Sequence, residues 1–182
     1  MIRFLKKLAH KRVLFALFII TFLLELCLIY ITHQIELVSG SRTLLDTQLT
    51  YTAQEAYQIL DRMGAEGRSL YLKGLAVDMI FPLAYSLFLA GMVFRLLWNR
   101  HFPLKHSALI STIPLFTGVF DYLENIFEIQ LVTQFPPLAE PLIYWSSRFT
   151  LLKWITLSVS VTVLLFLWIS QIIRDLKRGT FN

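Results

Sequence analysis

The chain has 182 residues, 56% of them apolar, and a mean hydropathy of +0.62. That length bounds it to one compact unit, 1–182, and that composition is too oily for a soluble domain of this size, so the sequence reads as an all-α polytopic membrane protein. The net charge of +5 does not point to a nucleic-acid partner, because Lys and Arg gather at the ends of apolar runs, where they set topology.

Four apolar runs reach the length of about 20 residues that spans a bilayer; they cover about 13–33, 74–97, 107–133 and 148–173. The first follows a basic stretch (Arg3, Lys6, Lys7, Lys11, Arg12) as a secretory signal would, but it is long and no small-x-small site follows it, so a retained anchor is expected. It contains the only cysteine, Cys27, which reads as an apolar core residue and excludes an intrachain disulfide.

Thr52-Ala53-Gln54-Glu55 has the form of a capping box and Gly64 that of a helix stop, which predicts a short amphipathic helix over about 53–63 in the first outer loop. Its apolar face (Ala53, Ala56, Tyr57, Leu60, Met63) suits a helix lying on the membrane surface. The second span puts Tyr71, Gly74, Asp78, Pro82 and Tyr85 on one face, and Pro82 is expected to kink it. A short basic turn, Asn99 to Lys105, makes the third span its antiparallel neighbour, and Pro114 and Gly118 interrupt that third span. The link Gln134 to Pro141 is too proline-rich for a helix. The last span enters through Tyr144, Trp145, Ser146, Ser147, Arg148 and Lys153 and leaves through the anchors Arg174, Lys177 and Arg178.

Of the seventeen Lys and Arg residues, eleven fall with the termini and at or near the 99–105 turn, Arg95 included, and six on the opposite side. The bias predicts an antiparallel four-helix bundle with both termini cytoplasmic, of the kind found in a bacterial inner (plasma) membrane, with 34–73 and 134–147 facing outward.

The third span holds the least expected residues. Asp121, Glu124, Asn125 and Glu128 recur at i, i+3, i+4, i+7 and so share a helix face. An acid near mid-membrane costs roughly 2.5–3.5 kcal/mol on insertion scales, so neighbouring helices must offset it. At 1.5 Å rise per residue, Glu25 and Asp121 fall within ~5 Å of the bilayer centre, with Glu124, Glu128, Asp78 and Lys153 progressively outward. A bundle turning these faces inward would enclose a polar cavity open to the outer surface.

Such a cavity suits an acid–base enzyme for a lipid or another membrane-soluble substrate, with Asp121 and Asp78 as the pair. Glu124, also a candidate for the chemistry, would join Asn125 in orienting substrate, Glu25 would set charge balance, and Glu128 and Tyr85 would contact the ligand. Arg148 and Lys153 would bind an anionic headgroup, Arg148 also being placed to pair with Glu128 or Asp78. No cofactor and no metal site is expected, since His10, His101 and His106 lie on the inner side, only His33 lies near the outer boundary, and no Glu-x-x-His pattern occurs. Two other classes stay open: proton or cation handling by a homo-oligomer, and a non-catalytic assembly protein whose acidic face meets a partner helix.

The plan resembles that of lipoprotein signal peptidase, another small four-span protein with both ends inside and an outward-facing aspartate pair. The asparagine-containing blocks around that family's aspartates are absent here, where the residues read Asp121-Tyr122-Leu123-Glu124-Asn125. The resemblance is one of architecture and implies no residue roles.

Overall fold

The computed structural model describes residues 1–137 and 139–179, without the side chains of residues 177–179. Leu138 of the proline-rich link and the side chains of Lys177 and Arg178 therefore lie outside the described residues. Among these residues all regular structure is helical and no strand occurs. The helices are α1 (Ile2–Leu8), α2 (Lys11–Ser39), α3 (Ala53–Asp78), α4 (Phe81–Trp98), α5 (Leu104–Ile110), α6 (Ile113–Gln134) and α7 (Glu140–Gly179).

Among the described residues, three segments are long and apolar enough to cross a membrane: Lys11–Ser39, the nearly continuous Ala53–Trp98, and Glu140–Leu176. Their outer surfaces agree with that. Along α2 only Leu14 and Ile35 are buried, while Phe15, Phe18, Phe22, Leu23, Leu26 and Ile29 are exposed, and α7 likewise exposes Ile155, Val159, Leu165, Phe166 and Ile169. Apolar faces of this extent suit contact with lipid.

The expected four spans are divided into more pieces, and the divisions follow from proline and glycine. Gly64 adopts φ 63°, a left-handed value natural to glycine, and breaks α3 into two arms. The first arm starts at the expected capping box: the Thr52 N–H donates to Glu55 Oε2 at 2.7 Å and the Glu55 N–H donates to Thr52 Oγ1 at 3.3 Å. It buries Ala56, Leu60 and Met63 against Ile35, Leu44, Leu45, Leu131, Val132 and Ile143. Ala53 and Tyr57, expected on that same face, are exposed instead. The second arm makes 65–78 helical, so most of what was expected as the end of an outer loop is helix.

Pro82 stands in the first turn of α4 and Pro114 in the first turn of α6. Neither has an N–H to return to the carbonyl four residues back, and the helices break just before each, at Met79–Ile80 and at Ser111–Thr112. The segment expected as a third span is thus the short α5 followed by α6.

Packing sorts into layers along the helix axes. One apolar cluster lies beside the 40–52 loop and includes Leu75, Leu131 and Val132. At the opposite end Leu5, Leu8 and Ala9 pack on Ala90, Phe94 and Ala108, beside Val93, Leu96, Leu97 and Leu167. Between them α4 and α6 approach closely, since a Cβ added at Gly118 would stand 2.7 Å from Ser86 Oγ and 3.1 Å from the Pro82 carbonyl. The polar residues occupy this middle layer and the part of it nearer the 40–52 loop.

A buried carboxylate cluster beside a large cavity

The α6 face is polar and buried as its spacing requires. Glu124, Asn125 and Glu128 are 0% exposed and Asp121 is 4% exposed. Helix α7 is set against them, and its inward stripe runs Ser146, Ser147, Thr150 and Lys153, all buried. Lys153 Nζ lies 2.6 Å from Glu124 Oε2 and 3.7 Å from Asp121 Oδ1. The Tyr85 hydroxyl donates to Asp121 Oδ2 at 2.7 Å, so two groups from different helices orient that carboxylate.

Asp78 ends α3, and its backbone explains Asn125. In a continuous helix the Asp78 carbonyl would accept from residue 82, but residue 82 is proline. The Asn125 amide Nδ2 donates to that carbonyl instead, at 3.1 Å. Replacing Asn125 by Leu keeps the volume and orphans the carbonyl, which is expected to cost about 1–3 kcal/mol. Adding Pro82→Ala returns an N–H at position 82 and should recover part of that loss. Reversible unfolding in mixed micelles measures both, and no recovery would show that the orphaned carbonyl is not what Asn125 serves.

The 40–52 loop closes over this layer. The Tyr51 N–H donates to Ser147 Oγ at 2.9 Å and its hydroxyl to Ser146 Oγ at 2.7 Å. The Asp46 carbonyl accepts from Trp154 Nε1 at 3.3 Å and from Lys153 Nζ at 3.5 Å. Burial pushes the Asp46 carboxyl above its ordinary value of 3.8, with Lys153 opposing the shift. The Tyr71 hydroxyl, from the second arm of α3, donates to Glu128 Oε2 at 2.5 Å and lies 3.5 Å from Asp46 Oδ1.

A cavity of about 1000 Å³ opens beside this cluster. Asp46, Asp78, Tyr85, Asp121 and Lys153 form one wall, and α2 forms the other from Thr21 to His33. Glu25 is exposed and lines the cavity from α2.

Two expectations about the site change. Arg148 does not join the cluster: it is exposed, with its guanidinium 5.2 Å from the Tyr144 ring centroid. At about 100° per residue it points away from the stripe that carries Ser146, Thr150 and Lys153. Neither the expected pair with Glu128 nor that with Asp78 forms, and Lys153 alone is the cation among the buried carboxylates described. Glu124, Asn125 and Glu128 are also not part of the cavity wall. They lie behind it, whereas Asp78, Asp121, Tyr85 and Lys153 line it.

Asp46, Tyr71 and Trp154 were not expected at the site. Tyr71 carried a signal, since it lies seven residues before Asp78 and so shares its face; Asp46 sits in a loop without periodicity. Compared with protein-family models, curated proteins and solved structures, the chain matches none. The geometry therefore has to carry the functional reading by itself.

Proposed function

We propose that this chain is a membrane-embedded acid–base enzyme for a lipid or another membrane-soluble substrate, with Asp121 and Asp78 as its working carboxyl groups. The observation that carries the reading is the cavity of about 1000 Å³ with both aspartates in one wall. A structural ion pair has no need of such a space, and intramembrane ionisable residues are by default functional. Tyr85 and Lys153 hold Asp121 in place, while Asp78 forms no ion pair among the described residues, so the two carboxyls have unlike surroundings, as acid and base require. Glu124 and Glu128 are assigned to the support behind this pair.

In the same reading the chain crosses the membrane four times, α5 and α6 together making the third crossing, with both termini cytoplasmic as the Lys and Arg distribution favours. The cavity then opens toward the outer side of a bacterial inner membrane, and its ligand arrives from the lipid phase. One observation favours proton handling as a second reading: Tyr71 lies between Glu128 and Asp46, a short chain of exchangeable protons.

Native mass spectrometry of gently extracted wild type and Asp121→Asn, with thermal stability followed in parallel, tests the proposal. A small molecule or lipid retained by the wild type and lost by an equally stable variant is the expected result. No retained molecule together with a large stability change would sink the enzyme reading and leave the acidic face as an element of assembly.

A further inference from the structure

The charges around the cavity indicate what its ligand carries. Three acids of the deep wall (Asp46, Asp78, Asp121) and Glu25 of α2 face it. Of its two permanent cations, Arg42 is engaged outside it, with Nε 2.6 Å from Glu36 Oε2, and Lys153 is shared between Glu124 behind the wall, at 2.6 Å, and Asp121 in the wall, at 3.7 Å, so the acids of the lining outnumber the charge that answers them. His33, also in the lining, is 3.3 Å from that same Glu36 oxygen. Asp121, 4% exposed, has one oxygen, Oδ1, that accepts no hydrogen bond from the described residues and meets only the longer ion-pair contact with Lys153 Nζ at 3.7 Å. Aromatic groups complete the lining, with Phe81 and Phe88 from α4 and Trp154 from α7. Carboxylates beside aromatic faces in a poorly hydrated space attract an ammonium group and repel an anionic one.

We infer that the cavity binds a cationic amphiphile, its ammonium head against Asp78 and Asp121 and its apolar chain along Leu26 and Ile29 of α2 and Leu157 of α7. The inference rests on the cavity being a ligand site, as proposed above, and adds the charge of the ligand. It reverses the anionic headgroup expected from Arg148 and Lys153, because Arg148 is elsewhere and Lys153 is already neutralised. The volume lies at the upper end of the roughly 300–1,000 Å³ that holds a drug-sized ligand, enough for a head and a chain.

Equilibrium dialysis tests it on the full chain in phosphatidylcholine nanodiscs, with empty nanodiscs subtracted and three probes of equal chain length: dodecyltrimethylammonium, dodecanol and dodecanoate. The expected result is saturable binding of the ammonium at least tenfold tighter than of either other probe. Asp78→Asn and Asp121→Asn should each weaken it tenfold or more, while Glu140→Gln, an exposed acid outside the cavity, should not change it. Leu157→Trp fills the space and leaves every acid of the lining in the sequence, so it should abolish binding even if the aspartate variants fold poorly. Dodecanol or dodecanoate binding as tightly as the ammonium would overturn the inference and leave the cavity standing as a ligand site. No saturable binding of any probe by thermally intact wild type would overturn both.

Discussion

Lys153→Met is expected to destabilise the folded bundle by about 3–5 kcal/mol, the usual result of removing one partner from a buried ion pair. Methionine keeps most of the apolar stem, so the loss reports the charge and not a void. Glu124 is fully buried and its Oε2 lies 2.6 Å from Nζ, with Asp121 Oδ1 at 3.7 Å, so one ammonium answers two carboxylates. Without it, both must be desolvated with no cation near. Adding Glu124→Gln removes one of the stranded charges at constant shape and should recover a large part of the loss. Reversible unfolding of the single and double variants in mixed micelles gives the coupling. A loss below about 1 kcal/mol for Lys153→Met would instead be the value of a solvent-exposed pair and would contradict the burial described here.

Gly118→Leu is expected to abolish the packing of α4 on α6, and even Gly118→Ala should cost about 1–3 kcal/mol, the range for overpacking a tight interior. The Cβ alone would stand 2.7 Å from Ser86 Oγ, 2.9 Å from Ser86 Cβ and 3.1 Å from the Pro82 carbonyl oxygen. The first two contacts belong to one small side chain and the third to backbone, which cannot turn away. Ser86→Gly in the Gly118→Ala background therefore relieves two of the three and should recover part of the stability. Thermal melting monitored by size-exclusion chromatography distinguishes a shifted melt from a lost bundle. An unchanged melt for Gly118→Ala would mean that the two helices are not held at this distance. Because Pro82, Ser86 and Tyr85 share this part of α4, forcing the helices apart should also disturb the Tyr85–Asp121 contact and any ligand binding that depends on it.

Helical content, the apolar runs and the polar face of α6 could be read directly from the residues, because helical periodicity and bilayer-length apolarity are properties of local sequence. The cap at Thr52 and the stop at Gly64 were legible for the same reason, since each depends on a few adjacent residues and their allowed φ and ψ. Pro82 and Pro114 announced interruptions. That Asn125 would supply the hydrogen bond Pro82 removes was not announced, since the two residues meet only when α6 lies against the α3–α4 junction.

Tertiary packing decided the rest. Arg148 and Lys153 are both cations near the start of the last run, and nothing local says which of them turns inward. The rotation of α7 against α6 selects Lys153 and leaves Arg148 stacked on Tyr144. The same packing sends Glu124, Asn125 and Glu128 behind the cavity wall while Asp121, one turn away, stays in it. Asp46 reaches the site only because the 40–52 loop folds over α7, where Ser146, Ser147 and Trp154 hold it. By itself the sequence determined which residues could not be left in lipid; how they are shared between a supporting layer and an open cavity depends on helix rotation and loop closure, which are set by contacts between residues far apart in the chain.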